Sequence, residues 1–173
     1  IGIRSDRISA WQYLIRILTE DPLQTQHSLY DRGERILDHS AWFQRTCFHL
    51  TSSSRLISAL PVWDNLHLNQ RNRRHMWGRS NASLRKLLPE YGLESSIADK
   101  RIEDLTIAEY VCLLILREYL QGHSIILFDY DMRQFSNKDI SVLRSFMEQM
   151  KSRGMCFILS ASLWELHTQL CDT

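Results

Sequence analysis

Apolar residues recur along the chain at the three- and four-residue spacing of amphipathic helices. The first such segment covers residues 8–20, and its apolar positions are Ile8, Trp11, Leu14, Ile15 and Leu18. The same spacing predicts four further helices: Ser83–Tyr91 with Ser80 and Asn81 as caps, Thr106–Leu120, Lys138–Arg153 and Leu163–Leu170. Gly122 and Gly154 follow two of these segments, as glycine often does at a helix end.

Two continuous apolar runs between these helices predict strands. Ile125–Phe128, closed by Asp129, and Met155–Leu159 are typical of strands buried on both faces of a parallel sheet. Shorter strands are predicted on either side of a turn at Asp31–Gly33, within a mixed stretch from residue 21 to 62. The alternation of strand and helix towards the end of the chain favours a parallel α/β fold.

The composition is that of a protein that buries a core. The 173 residues are 44% hydrophobic and 24% charged, and the net charge of +1 gives no field that would attract nucleic acid or an anionic membrane. No apolar run approaches the roughly 18 residues that a membrane span needs, and the N-terminus does not resemble a signal peptide. We therefore expect a cytoplasmic location. Because the chain begins at Ile1 and stops abruptly at Thr173, we also expect a fragment that is incomplete at both ends.

The sequence predicts no structural metal. The four cysteines (Cys47, Cys112, Cys156 and Cys171) are scattered, without the close pairs of a zinc site or a disulfide framework. They are expected to serve as small hydrophobic side chains in the core. The histidines are dispersed in the same way, and no Cys or acidic residue near His67 and His75 completes a ligand set.

The phrase Leu105-Thr106-Ile107-Ala108-Glu109 opens the helix that is predicted to reach Leu120. Thr106 is a suitable N-cap, and Glu109 three residues later completes a capping-box pattern. From Leu105 to Asp172 the order of features also resembles the second half of an ATP-binding cassette (ABC) ATPase domain, as found in ribose- and galactose-type sugar importers. The importers have a signature phrase Leu-Ser-hydrophobic-small-Gln or Glu, which Leu105–Glu109 fits. Two interpretations of the phrase, a vestigial signature and a capped helix start alone, stay open at this point.

Further segments match the resemblance in order and spacing. The family has a buried strand ending in Asp-Glu-Pro-Thr, a helix ending in Leu-Lys-x-x-Gly, a strand leading to Ser-His, and a helix that carries Glu and ends in Cys-Asp. The corresponding segments are Ile125–Asp129, Met150–Gly154, Met155–Leu159, Glu165 and Cys171-Asp172. Upstream, Pro61–Leu66 and Leu84–Leu93 are similar to two phrases of the family's helical subdomain. The resemblance implies one domain over residues 1–173, with a P-loop NTPase-like core at about 1–55 and 121–173 and a helical subdomain at about 56–120.

The resemblance also implies a phosphate-binding loop before the first helix, and the residues for it are missing. Such a loop is Gly-x-x-x-x-Gly-Lys-Ser/Thr, in which backbone N–H groups and the lysine bind the phosphates. The expected loop is residues 2–9, with Ala10 or Trp11 where the lysine should stand, and the first lysine of the chain is Lys86. Arg4 or Arg7 lacks the compact charge of a lysine.

The other catalytic positions of the family are altered as well. Asp129 stands where the family places a carboxylate of the magnesium shell, but Tyr130 replaces the glutamate that polarises the attacking water, and a phenol is a poor base at neutral pH. Asp131 would face the opposite side if the strand continued. Ser160–Ser162 lacks the switch histidine, Thr51–Ser54 lacks the linking glutamine, and Arg133–Ser136 replaces the dimer loop Ser-Ala-Leu-Asp.

We therefore expect a pseudo-ATPase without catalytic residues, metal or cofactor. Asp129 is interpreted either as a vestigial nucleotide-site carboxylate or as a strand-end residue, and Thr106 and Glu109 as a vestigial signature. The expected partner is a protein: a second cassette subunit, a permease that holds it peripherally at the membrane, a regulator, or another copy of the chain. The alternatives are a sensor domain attached to a transcription regulator, an ATPase with unusual residues, and nucleic-acid binding by Arg71–Arg79, for which a solvated loop is the preferred interpretation.

Overall fold

A computed structural model describes residues 2–3, 8–19, 28–67 and 80–160 of the chain. Four strands form a parallel sheet in the order β1-β6-β5-β4, and two more form a small antiparallel hairpin. The strands are β1 (Gly2–Ile3), β2 (Tyr30–Asp31), β3 (Glu34–Arg35), β4 (Cys47–Thr51), β5 (Ile125–Asp129) and β6 (Cys156–Ser160). The hairpin is the one predicted around Asp31–Gly33, and its turn residues Arg32 and Gly33 both have positive φ, as a two-residue turn of this kind requires.

The described helices are α1 (Ile8–Thr19), α2 (His39–Thr46), α3 (Val62–His67), α4 (Asn81–Glu90), α5 (Ile107–Leu120) and α6 (Asn137–Ser152). The predictions for α1, α4, α5 and α6 are confirmed to within one or two residues, and Ser80 caps α4 as expected. Helix α2 and strand β4 were not predicted as separate elements within the mixed stretch at residues 21–62, and helix α3 begins at the last residue of that stretch. The three are short consecutive elements between residues 39 and 67.

The register of the sheet brings the carboxyl ends of three strands to one edge. Thr51, the last residue of β4, pairs with Asp129, the last residue of β5. On the other side, Phe128 of β5 pairs with Leu159 of β6, so Ser160 lies beside Asp129. Because all three strands are parallel, the side chains at their carboxyl ends share one environment.

The core is built around α5, which is buried on all sides over Val111–Leu116. This helix packs against α3 and α6, and its apolar residues belong to the same cluster as Ile126, Phe128 and Leu159 of the sheet. A helix that is apolar all round belongs in the interior, which explains why its sequence lacks a polar face. The buried character predicted for β5 is confirmed, since Ile126, Leu127 and Phe128 are at most 1% exposed.

One buried charge fixes the end of α5 to the start of β5. Glu118 is 2% exposed and accepts hydrogen bonds from Arg117 Nε at 2.8 Å and from the His123 ring at 3.1 Å. The other ring nitrogen of His123 lies 3.2 Å from the carbonyl oxygen of Gln44 in α2. This network aligns β5 with the α2–β4 segment, because buried carboxylates require such partners.

Several predictions fall on residues outside those that the structure describes. They are the loop at residues 4–7, the basic segment Arg71–Arg79, the closing helix Leu163–Leu170, and the family positions Glu165 and Cys171-Asp172. Within the described residues, none of the helices has the length and apolar character that crossing a membrane requires. The division into a core and a helical subdomain at residues 56 and 120 stays a prediction.

Candidate functional site at the carboxyl edge of the sheet

Asp129 ends β5 at the edge of the sheet, where the sequence predicted a nucleotide-site carboxylate. Its Oδ1 accepts a hydrogen bond of 2.7 Å from the hydroxyl of Ser160 at the end of β6. Its Oδ2 lies 3.6 Å from Nε2 of His49 on β4, just beyond hydrogen-bond distance. Three neighbouring strands therefore contribute one polar side chain each to a single cluster.

Trp11 in the first turn of α1 packs beside His49, one of the three residues of this cluster. Its ring centroid lies 6.2 Å from that of His49, with the two planes tilted by 57°. Trp11 Nε1 and His49 Nε2 are both buried and have no hydrogen-bond partner among the described residues. The carboxylate of Asp129 is the acceptor that Nε2 approaches, so the hydrogen bond from Ser160 on one side of Asp129 is complemented by a longer polar contact with His49 on the other.

Tyr130, which the sequence resemblance predicts in place of a catalytic glutamate, points into an aromatic environment. Its ring contacts Phe128 and Phe135, with centroid distances of 6.2 and 5.9 Å. Burial raises the pKa of its phenol above the ordinary value of 10.0, with a further contribution from Tyr110. The phenol is therefore neutral at physiological pH, and it lacks the charge with which a carboxylate orients water.

The expectation for Asp131 depended on a strand that continued, but β5 ends at Asp129. Asp131 instead begins a short 3₁₀ turn, and its carboxylate accepts hydrogen bonds from Arg133 Nε at 2.9 Å and Nη2 at 2.6 Å. These bonds from Arg133 lower the pKa of the Asp131 carboxyl to about 2. Its backbone N–H donates to Ser52 Oγ at 2.9 Å, which ties the loop after β5 to the loop after β4. Asp131 is thus engaged as a turn residue.

Thr106 and Glu109 form the predicted capping box at the start of α5. Thr106 Oγ1 accepts from the N–H of Glu109 at 3.2 Å, and Glu109 Oε2 accepts from the N–H of Thr106 at 2.9 Å. Lys100 Nζ binds both carboxylate oxygens of Glu109, at 2.7 and 2.8 Å. The described contacts of these two residues do not include Asp129, so the structure does not join the three predicted site residues into one group. The capped helix start, one of the two open interpretations, accounts for all of these contacts.

The hydroxyl-rich loop at Thr51–Ser54 follows β4 directly. Ser54 Oγ accepts from the N–H of Thr51 at 3.1 Å, and the hydroxyls of Thr51 and Ser53 are 2.6 Å apart. Arg55 donates to the backbone carbonyls of Ser52 and Ser54. The hydroxyls of Thr51, Ser53 and Ser54 therefore hydrogen-bond within the turn itself.

The donor set around Asp129 does not fit a magnesium ion as it is arranged. Magnesium prefers six oxygen ligands in octahedral geometry. Here one carboxylate oxygen accepts a hydroxyl proton and the other faces a ring nitrogen. Within the described part of the chain, no three His, Cys, Asp or Glu side chains are grouped as a metal would require.

The cluster also differs from a hydrolytic triad, although it contains Ser, His and Asp. A triad needs the histidine next to the serine, so that it can take the hydroxyl proton. In this chain the hydroxyl of Ser160 donates to the carboxylate of Asp129, and His49 approaches the other carboxylate oxygen. Asp129 stands in the middle, and among the described residues no histidine is hydrogen-bonded to the hydroxyl.

Sequence reasoning found Asp129 but missed its two partners. His49 carried a usable signal, because a histidine interrupts the apolar run Cys47–Leu50, and a polar residue inside a buried strand requires a partner. Ser160 carried none of its own, since a serine after a strand is common in loops. Their contact with Asp129 depends on the order and register of three strands, which spacing along the chain does not specify.

Comparison with known proteins gives a result for structure alone. No family model and no curated protein sequence matches the chain. One similar solved structure is a nucleotide-free ATP-binding cassette from an ABC transporter, with a TM-score of 0.68, 14% identity, and coverage of 99% of this chain and 72% of that one. Another is a dimeric ATP-binding cassette in a post-hydrolysis state bound to ADP and phosphate, with a TM-score of 0.58, 17% identity, and coverage of 97% and 75%. The chain therefore has the α/β fold of the ATP-binding cassette ATPases, which is a P-loop NTPase fold.

Proposed function

We propose that this chain is a cassette domain that does not hydrolyse ATP and that acts as a partner or regulatory module in sugar transport. The observation that carries the proposal is the position of its first lysine, Lys86, far beyond any phosphate-binding loop that could precede α1. Without that ammonium group the triphosphate lacks its main compensating charge within the fold.

The surroundings of Asp129 support the same proposal. A carboxylate that keeps a magnesium site open has solvent or ligand oxygens around it. Asp129 is engaged by the hydroxyl of Ser160 and faces His49, and the neighbouring Tyr130 is a phenol, which is neutral at physiological pH. Both effects oppose binding and activation of a magnesium–nucleotide complex.

The association with sugar transport comes from the resemblance of Leu105–Glu109 and the segments that follow it to sugar-importer ATPases. A second cassette subunit is the partner that the fold favours, because one of the similar structures is itself a dimer of cassettes. If this is correct, the purified chain will form a complex with a cassette or permease subunit of a sugar transporter.

Isothermal titration calorimetry with ATP and magnesium tests the proposal directly. We expect no saturable heat, and phosphate release no faster than that of the Asp129→Asn variant. Titration of ATP with EDTA present gives the control without metal. Saturable, magnesium-dependent binding at micromolar ATP, or phosphate release that Asp129→Asn abolishes, would refute the proposal.

A further inference from the structure

We propose that Asp129, Ser160 and His49 form a clamp that holds the carboxyl ends of β5, β6 and β4 together where a cassette ATPase would hold a nucleotide. We call these three residues the Asp129 clamp. The inference deepens the proposed function and rests on it, because it assigns a new role to a site from which the nucleotide has been lost.

The clamp follows from the register of the sheet. Thr51 pairs with Asp129, and His49 lies two residues earlier on β4, so its side chain leaves the strand on the same face as that of Thr51. Ser160 follows Leu159, which pairs with Phe128. Asp129 on β5 is thus placed between polar groups on its two neighbouring strands, 2.7 Å from Ser160 Oγ on β6 and 3.6 Å from His49 Nε2 on β4.

Asp129 and Ser160 are hydrogen-bond partners, and His49 adds a longer polar contact to the same carboxylate. His49 Nε2 is a buried atom, and the Asp129 carboxylate is the acceptor it approaches. The hydroxyl of Ser160 donates to the same carboxylate. Removing the carboxylate would weaken the hydrogen bond from Ser160 and take away the polar group that approaches the buried Nε2 of His49, and the loss of such contacts is costly to the folded state.

Helix α1 is joined to the clamp through Trp11. The indole ring packs against the ring of His49, and α1 is also held by α2, where the buried His39 Nδ1 lies 3.1 Å from the carbonyl oxygen of Ile17. The clamp therefore meets the first turn of α1 through the ring of His49.

A clamp and a vacant metal site predict opposite changes in stability when Asp129 is neutralised. A carboxylate that is kept for an absent cation is unfavourable for stability, and neutralising it stabilises the protein. A carboxylate in a clamp stabilises the fold without any ligand, and neutralising it lowers the melting temperature. The two roles are separated by measurements on the nucleotide-free protein.

Thermal unfolding of the wild type, Asp129→Asn, Ser160→Ala and the double variant tests the clamp without nucleotide. We expect Asp129→Asn to lower the Tm by about 3 °C or more, the shift that the loss of about 1 kcal/mol gives in a domain of this size. Ser160→Ala should lower the Tm as well. The double variant should lower it by less than the sum of the two single changes, because both remove the same contact.

Matched controls separate the clamp from general effects of the substitutions. Asp64→Asn and Ser145→Ala make the same chemical changes at exposed positions on α3 and α6, and each should move the Tm by no more than about 1 °C. Ser160→Thr keeps the hydroxyl and should recover most of the stability that Ser160→Ala loses. If Asp129→Asn does not fold, the comparison of Ser160→Ala with Ser160→Thr shows whether the contact of the hydroxyl with Asp129 stabilises the fold.

The clamp and the proposed function fail in different ways. An unchanged or higher Tm for Asp129→Asn, or equal Tm values for Ser160→Ala and Ser160→Thr, would overturn the clamp. A rise in the wild-type Tm when magnesium and ATP are added would overturn the proposed function, since a ligand that binds the folded state stabilises it.

Discussion

Cys47 and Cys112 show at the scale of single residues what burial does to an ionisable group. Cys47 is 3% exposed and Cys112 is completely buried. Burial raises the pKa of the Cys47 thiol from 9.0 to about 12, with smaller contributions from Cys156 and Asp31. It raises the pKa of Cys112 further. Both are the small core side chains that the sequence predicted, and both stay neutral in the folded protein.

The raised pKa values of these two thiols predict that the protein loses stability at alkaline pH. A group whose folded pKa is raised stabilises the fold fully below its unfolded pKa, and this stability is lost as the pH rises towards the folded value. With an unfolded thiol pKa of 9.0, each cysteine should cost about 1 kcal/mol of unfolding free energy between pH 8 and pH 10. Urea titrations at pH 8 and pH 10 measure this difference in unfolding free energy.

The double variant Cys47→Ala/Cys112→Ala removes both thiols and should lose about 2 kcal/mol less than the wild type over this interval. Ser145→Ala, which leaves every thiol in place and lies at an exposed position on α6, is the control and should keep the pH dependence of the wild type. An equal loss of unfolding free energy in the wild type and the double variant would contradict the assignment of the pH dependence to these two thiols.

At the scale of the element, α5 is the clearest case of a helix whose start is encoded locally. Thr106 and Glu109 satisfy each other's backbone N–H groups, and Lys100 holds the Glu109 side chain in place. Two of the residues interpreted as a vestigial signature therefore have a sufficient structural reason to be there. Helix α6 begins with the same device, formed by Ser136 and Asp139.

Replacing Thr106 by alanine should lower the unfolding free energy by about 1 kcal/mol, because the N–H of Glu109 loses its acceptor. Thr106→Ser keeps the hydroxyl and should stay close to the wild type. Chemical denaturation of the two variants side by side gives the difference. If both variants were as stable as the wild type, the capping box would not be what starts α5.

At the scale of the whole molecule, the sequence predicted the second half of the fold better than the first. Helices α5 and α6 and strands β5 and β6 are long or strongly apolar, and caps or glycines mark several of their ends. Between residues 39 and 67 three elements of five to eight residues follow one another, and His49 interrupts the apolar pattern of β4. Short elements with mixed patterns carry too little periodicity to be separated.

Of the three residues in the cluster at the carboxyl edge of the sheet, only the central one could be predicted from the sequence. Asp129 closes an apolar run and is visible from the sequence, whereas its partners come from β4 and β6. Their proximity is a property of the strand order β6-β5-β4. Interactions between distant segments of this kind are set by packing, not by local propensity.

If nucleotide binding is lost, nucleotide cannot control the association of this chain. We expect sedimentation velocity to give the same mass with and without ATP and magnesium, whether that mass is the 20.5 kDa of one chain or a multiple of it. The same samples with magnesium alone are the control. A shift to a larger species that requires ATP would show that nucleotide still bridges two copies.

The pairing of β4 with β5 has a consequence for how the chain folds. Cys47 lies opposite Ile125, so the two strands meet only after the whole intervening segment with α3, α4 and α5 has been brought into a closed loop. The entropy of such long-range closure slows folding and delays the pairing of the strands involved. During that delay the apolar strands are exposed to other chains, and self-association competes with refolding most strongly at high protein concentration.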